Sequence, residues 1–168
     1  MTTPLPEAWL RGPIAGIPKL LQPAAHAFVL AREDVAAATN GLSADQLWQR
    51  PNGITPIGFH LAHLAGATGR LLAYAKGVPL TDAQKAFLLY EGNVMNTRPG
   101  LEKLTADWHA ALDNAAAQLA ATPENTLTEP RTIGRAQLPT TVVGAIFHAA
   151  EHAARHTGQI VTTSKLVR

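Results

Sequence analysis

Prolines, glycines and capping residues cut this chain of 168 residues into four stretches of helical period, and that division limits its fold more than any other feature. The first stretch begins at about Leu20. Pro23 sits in a first turn, where its missing N–H costs nothing. Leu20, Leu21, Ala24, Phe28 and Ala31 recur at helical spacing, and Asn40-Gly41 stops the run. The second opens with Thr55 as N-cap and Pro56 at N1, and passes through Ile57, Leu61, Leu64, Leu71 and Leu72 to Gly77. The third runs from about Leu101 to Ala121 and halts before Pro123. The fourth opens at Pro139 and Thr140-Thr141 and reaches roughly Ser164. Each stretch is near 30 Å long at ~1.5 Å per residue. The connections carry two minor helices. Ser43-x-x-Gln46 reads as a capping box opening a short one that ends near Arg50-Pro51, and Thr81-Asp82 caps another over Gln84 to Tyr90. Pro4 to Pro18 reads as an extended lead-in, Gly92 to Pro99 as loop, and Thr122 to Leu138 as a long loop or small hairpin. The expectation is an all-α chain: one four-helix bundle domain over residues 1–168 with short connecting helices.

Apolar residues make up 46% of the chain, enough to fill such a core. Fourteen Lys plus Arg stand against twelve Asp plus Glu, and no cationic run exists, so nucleic acid finds no electrostatic footprint. Cysteine is absent, which excludes disulfides, thiolate metal sites and a thiol nucleophile supplied by the chain itself. No stretch approaches the ~18 apolar residues of a membrane span. The opening Met1-Thr2-Thr3-Pro4-Leu5-Pro6-Glu7 lacks the basic and apolar regions of a signal peptide, so a cytoplasmic protein is expected.

Five of the seven histidines fall in two groups. His60 and His63 lie on the second long helix. His148, His152 and His156 lie on the fourth at i, i+4 and i+8, and form one stripe because four residues overshoot a full turn by only ~40°. Adjacent members are ~6 Å apart along the axis, close enough for two imidazoles to grip one ion, whereas His148 and His156 at ~12 Å are not. One adjacent pair therefore binds at most, and a third ligand has to come from His60 or His63. Three imidazoles leave part of the coordination sphere open, which suits a catalytic rather than a structural ion. His26 and His109 have no spaced partner and read as ordinary hydrogen-bonded residues.

A competing motif is present in His148-Ala149-Ala150-Glu151-His152, which matches the inverted zincin pattern H-x-x-E-H with Glu151 as general base. The plainer role of Glu151 is a helix-surface ion pair with Arg155 at i+4. Arg70 follows His63 at i+7. It could clamp a substrate carboxylate or form an ordinary salt bridge. Trp48, Trp108 and Tyr74 read as core or pocket wall.

The fourth-helix run His148-Ala-Ala-Glu-His152-Ala-Ala-Arg-His156-Thr-Gly-Gln159 is similar to the H-x-x-x-H-x-G-Q signature of the DinB-like superfamily, which includes DinB and YfiT-type proteins. The run Gly58-Phe59-His60-Leu61-Ala62-His63-Leu64-Ala65-Gly66 resembles that family's other ligand segment. The resemblance implies a four-helix bundle with non-sequential, up-down-down-up winding, a divalent metal held by three histidines, and a homodimer. Carried over by position, the ligands are His63, His152 and His156. His60, His148, Gln159 and Arg70 become neighbours of the site or substrate contacts. Zinc and nickel both suit such a donor set.

Two functions follow from that resemblance. One is a metal-dependent enzyme acting on a small molecule, either an S-transferase using a low-molecular-weight thiol or a hydrolase. The other is a non-catalytic metal or small-molecule binding protein of a stress response.

Overall fold

The caps and breakers do most of the work expected of them, and the departures have local causes. The structure is a computed structural model describing residues 6–168. Pro4 and Leu5 of the expected lead-in, and most of the segment read for a signal peptide, lie outside the described residues. Six α-helices are found among the described residues: α1 (Gln22–Thr39), α2 (Ala44–Trp48), α3 (Ile57–Lys76), α4 (Asp82–Thr97), α5 (Leu101–Ala121) and α6 (Val142–Leu166). A short hairpin, β1 (Pro130–Ile133) and β2 (Leu138–Thr141), precedes α6.

Ser43 and Gln46 form the expected capping box at the start of α2, with Gln46 N–H donating to Ser43 Oγ at 3.2 Å. Thr81 and Gln84 do the same for α4. Gly77 ends α3 in the left-handed conformation at φ 73°, which a residue with a Cβ adopts only at a cost. The first long helix starts two residues later than expected, because Lys19–Leu21 winds as a 3-10 turn before it.

Three expectations are corrected. The N-cap of α3 is Pro56, not Thr55, and no side chain caps it. A residue before proline is held extended, which leaves Thr55 a position short of the helix. The segment Gly92–Pro99 is not a loop: α4 continues to Thr97 and stops at Arg98, at φ 43°. Its Gly and Asn content disfavours helix, but Val94 is fully buried and Glu91 nearly so, and that packing outweighs propensity. Pro139 and Thr140 do not open α6. They pair in β2 with Thr132 and Arg131, and only Thr141 caps the helix, accepting from Gly144 N–H at 3.1 Å.

The four long helices form a ring in which α6 packs on α1 and α3, and α5 also packs on α1 and α3. Chain directions follow from contacts at their ends. His60 meets His156 while His63 meets His152, so α3 and α6 run antiparallel. Arg168, just beyond α6, donates to the carbonyls of Ala38 and Asn40 at the end of α1, so those two run parallel. Gln118 of α5 donates to Leu72 O of α3, pairing their C-terminal halves. Leu20 N–H reaches Glu124, setting the start of α1 beside the end of α5. The order is thus up-down-down-up, with consecutive α1 and α3 diagonal to one another.

Inside the ring, Trp108, Leu61, Leu64, Leu104, Ile146 and Ile160 are almost fully excluded from solvent. Trp48 closes one end of this core, donating from Nε1 to Pro99 O at 3.2 Å. Among the described residues, no helix is long and apolar enough to cross a membrane.

Candidate metal centre

Histidines at i and i+3 on α3 and at i and i+4 on α6 share a face on each helix. Because the two helices run antiparallel in contact, the faces meet. His63, His152 and His156 each offer a ring nitrogen to a set whose atoms all lie within 4.8 Å of one another. His63 Nε2 and His152 Nε2 are 3.2 Å apart. Two nitrogens each ~2.0–2.1 Å from one ion would be separated by about that distance. The donor set therefore fits a divalent cation, and neutral imidazoles do not select among zinc, nickel and their neighbours.

The second nitrogen of each ring has a different environment. His63 Nδ1–H donates to Glu91 Oε1 at 2.7 Å. That leaves Nε2 facing His152, the arrangement in which a carboxylate orients a metal-binding imidazole. Glu91 is held in turn by Arg70, whose Nη1 donates to Oε2 at 2.9 Å and whose Nη2 lies 3.3 Å from Oε1. Phe59 stacks parallel to the His63 ring, 5.8 Å between centroids. His156 Nδ1 lies 3.0 Å from His60 Nδ1. His152 Nδ1 is buried with no hydrogen-bond partner.

The electrostatics favour imidazoles ready to ligate. Burial first, and then the neighbouring histidines, push His60 and His152 down to about 4. His156 falls to about 4 as well, through burial and then His63 and Arg155, with Gln159 acting the other way by a hydrogen bond. Burial alone would raise the Glu91 carboxyl, but the hydrogen bonds from His63 and Arg70 outweigh it and hold it below its ordinary value.

Gly66 makes this network possible. A Cβ there would lie 2.3 Å from Glu91 Oε2 and 2.6 Å from Arg70 Nη1. The carboxylate thus crosses α3 where the helix has no side chain.

The other expected residues are placed as follows. Arg70 forms the salt bridge, and its guanidinium is used on Glu91. His148 is half exposed, 3.3 Å from Glu151 and outside the three-residue group. Glu151 is engaged by Arg155, whose Nε donates to it at 3.0 Å, so the carboxylate of the inverted zincin motif is tied up on the helix surface. Gln159 is exposed, one turn from His156. His26 hydrogen-bonds Gly12 O at 3.0 Å, the ordinary role expected of it. Trp108 is core and Tyr74 lines a surface cleft.

Glu91 is the residue that sequence reasoning missed. It falls at the end of Phe87-Leu88-Leu89-Tyr90, next to the segment read as loop. A single acid closing an apolar run was the available signal, because a buried carboxylate requires partners.

Comparison with known proteins agrees with this architecture. A crystal structure of a protein from Streptococcus pneumoniae, determined as a structural-genomics target, superposes with a TM-score of 0.61 over 85% of this chain and 87% of that one, at 15% identity. That likeness speaks for the fold alone. A search of curated proteins finds no match. The profile of the DinB superfamily matches residues 27–160, a span that takes in four-fifths of the chain, the bundle helices except the start of α1 and the end of α6, and both histidine segments. The helices and their order, together with that match, make this chain a member of the DinB superfamily.

Proposed function

We propose that this DinB-superfamily chain is a metal-dependent enzyme in which His63, His152 and His156 hold a divalent ion, zinc or nickel, and that it transfers a low-molecular-weight thiol to an electrophilic small molecule. The observation that carries this reading is the meeting of two helix-borne imidazole Nε2 atoms at 3.2 Å, with one of them aimed by a buried carboxylate. Three protein ligands leave room for an exogenous group, as catalytic sites do. When bound, such an ion supplies positive charge that lowers the pKa of a thiol or water and polarises an electrophile.

The chain's own residues supply orientation. Glu91 and Arg70 fix the His63 ring, and Phe59 limits its tilt. Among the described residues, the carboxylate that touches the histidine cluster, Glu91, is already engaged by His63 and Arg70, and Glu151, which reaches only His148 beside it, is engaged by Arg155. A nucleophile that gives up its proton readily suits a site without a free carboxylate base. This favours a thiol over water, and therefore transfer over hydrolysis. The absence of cysteine is in keeping with a thiol supplied from outside.

Elemental analysis of purified protein, followed by zinc and nickel titration of the metal-free chain, tests the centre. One ion per wild-type chain and none in His152→Ala is the expected result. An unchanged stoichiometry in that variant defeats the assignment. Screening the loaded protein against thiol–electrophile pairs and esters tests the reaction. Turnover that disappears on chelation supports the enzyme, and retained metal without turnover supports the non-catalytic binding protein instead.

A further inference from the structure

A fourth imidazole touches the cluster without belonging to the three-residue group. His60 lies one turn before His63 on α3 and is only 5% exposed. Its Nδ1 is 3.0 Å from His156 Nδ1. Two bare imidazole nitrogens repel at that distance, so the contact is made by a proton carried on one of them. Which ring carries it is settled by what His156 has to do elsewhere.

The His156 ring centroid lies 4.6 Å from that of His63 and 4.5 Å from that of His152. With Nδ1 turned to His60, Nε2 is the atom His156 has left for those two rings. A neutral imidazole that presents a lone pair at Nε2 carries its proton at Nδ1. His156 Nδ1–H is then the donor and His60 Nδ1 the acceptor. It follows that the proton of neutral His60 sits on its own Nε2. No described protein group hydrogen-bonds that atom. His60 also lines an open cleft of about 640 Å³ between the start of α3 and the last turns of α6, together with Thr55, Arg155, Gln159 and Thr163.

We propose that His60 is the positioning residue for His156. It accepts the Nδ1 proton, fixes the tautomer that leaves Nε2 free to ligate, and turns its own Nε2–H into a donor for an acceptor oxygen of a small molecule in the cleft. This role rests on the three-histidine metal reading. It gives His63 and His156 orienting partners of opposite kind, a carboxylate for one and a neutral ring for the other.

The test is a zinc titration of wild type, His60→Gln, His60→Leu and His148→Leu by chelator competition. It is paired with long-range ¹H–¹⁵N spectra of the zinc-loaded wild type that read each histidine tautomer. Loss of an orienting partner commonly weakens metal binding by about 10–100-fold, and that loss is expected for His60→Leu. His60→Gln offers an amide oxygen to the same proton and should bind close to wild type. His148→Leu should match wild type. The spectra should show His156 protonated at Nδ1 and His60 at Nε2. Equal affinity in a folded His60→Leu overturns the role, as does a His156 proton on Nε2. If His60→Leu does not fold, the wild-type spectra and His60→Gln decide the matter. A wild-type chain that takes up no zinc would sink the metal reading itself, whereas undiminished binding in His60→Leu would sink only this one.

Discussion

Glu91 carries two loads at once, and the loads separate by substitution. Toward His63 it accepts a proton and orients a ligand. Toward Arg70, itself mostly buried, it neutralises a cation. Glu91→Gln keeps an acceptor oxygen but removes the charge, so zinc affinity should fall by about 10–100-fold while the fold persists. Glu91→Ala leaves the Arg70 guanidinium buried and unpaired, which costs about 3–5 kcal/mol when one partner of a buried pair is removed. Chemical denaturation read beside zinc titration checks both: a Glu91→Ala protein as stable as wild type would show that Arg70 finds water instead. The sequence makes only half of this pair readable. Arg70 stands seven residues after His63 and so shares its face, but its partner lies on another helix, and spacing along one helix says nothing about residues facing it from the next. The histidine stripe was readable for the opposite reason, since i and i+4 neighbours meet wherever the helix goes.

At the scale of the helix, α3 is shaped by two glycines with different tasks. Gly58 faces the Trp48 indole, where a Cβ would come within 2.6 Å of ring carbons, and Gly66 faces the Glu91 carboxylate. Gly58→Ala sets a rigid ring against added volume. It should cost about 1–3 kcal/mol of stability, less the helix propensity gained, and leave zinc affinity unchanged. Gly66→Ala pushes against the ends of Glu91 and Arg70, which can shift only by giving up their hydrogen bonds. Its main effect should be weaker zinc binding. Thermal melts and zinc titrations of the two variants should show opposite profiles, and identical profiles would mean that Gly66 does not shape the centre. Helix ends were legible where a local device sets them, as at Ser43, Thr81 and Gly77. The continuation of α4 through Gly92 and Asn93 was not, because burial of Glu91 and Val94 by α3 and the core holds it, and no local preference records that contact.

For the whole molecule, the winding that sets α3 against α6 also concentrates uncharged imidazoles between them, and this ties stability to pH. His60, His152 and His156 each titrate near 4 in the folded chain, against ~6.5 in an unfolded one. Between those values the unfolded chain binds more protons than the folded one, so stability rises with pH. The contribution is complete above about pH 6.5 and is lost as pH falls toward 4. Glu91, whose folded carboxyl is depressed, adds stability present above its unfolded value of ~4.3 and lost only at lower pH. Acidification should thus act first through the rings and later through the carboxylate. In chelator, the melting temperature should drop from pH 7 to pH 4.5. A variant with His60, His152 and His156 all replaced by Gln should be flatter over the same range. Added zinc should raise the wild-type melting temperature at pH 7, because an ion that binds only the folded chain stabilises it by mass action, and should do so less as acid competes for the same nitrogens. A wild-type profile no steeper than that of the triple variant would mean that the rings take up protons in the folded chain without penalty. The imidazoles would then be solvated rather than packed between α3 and α6.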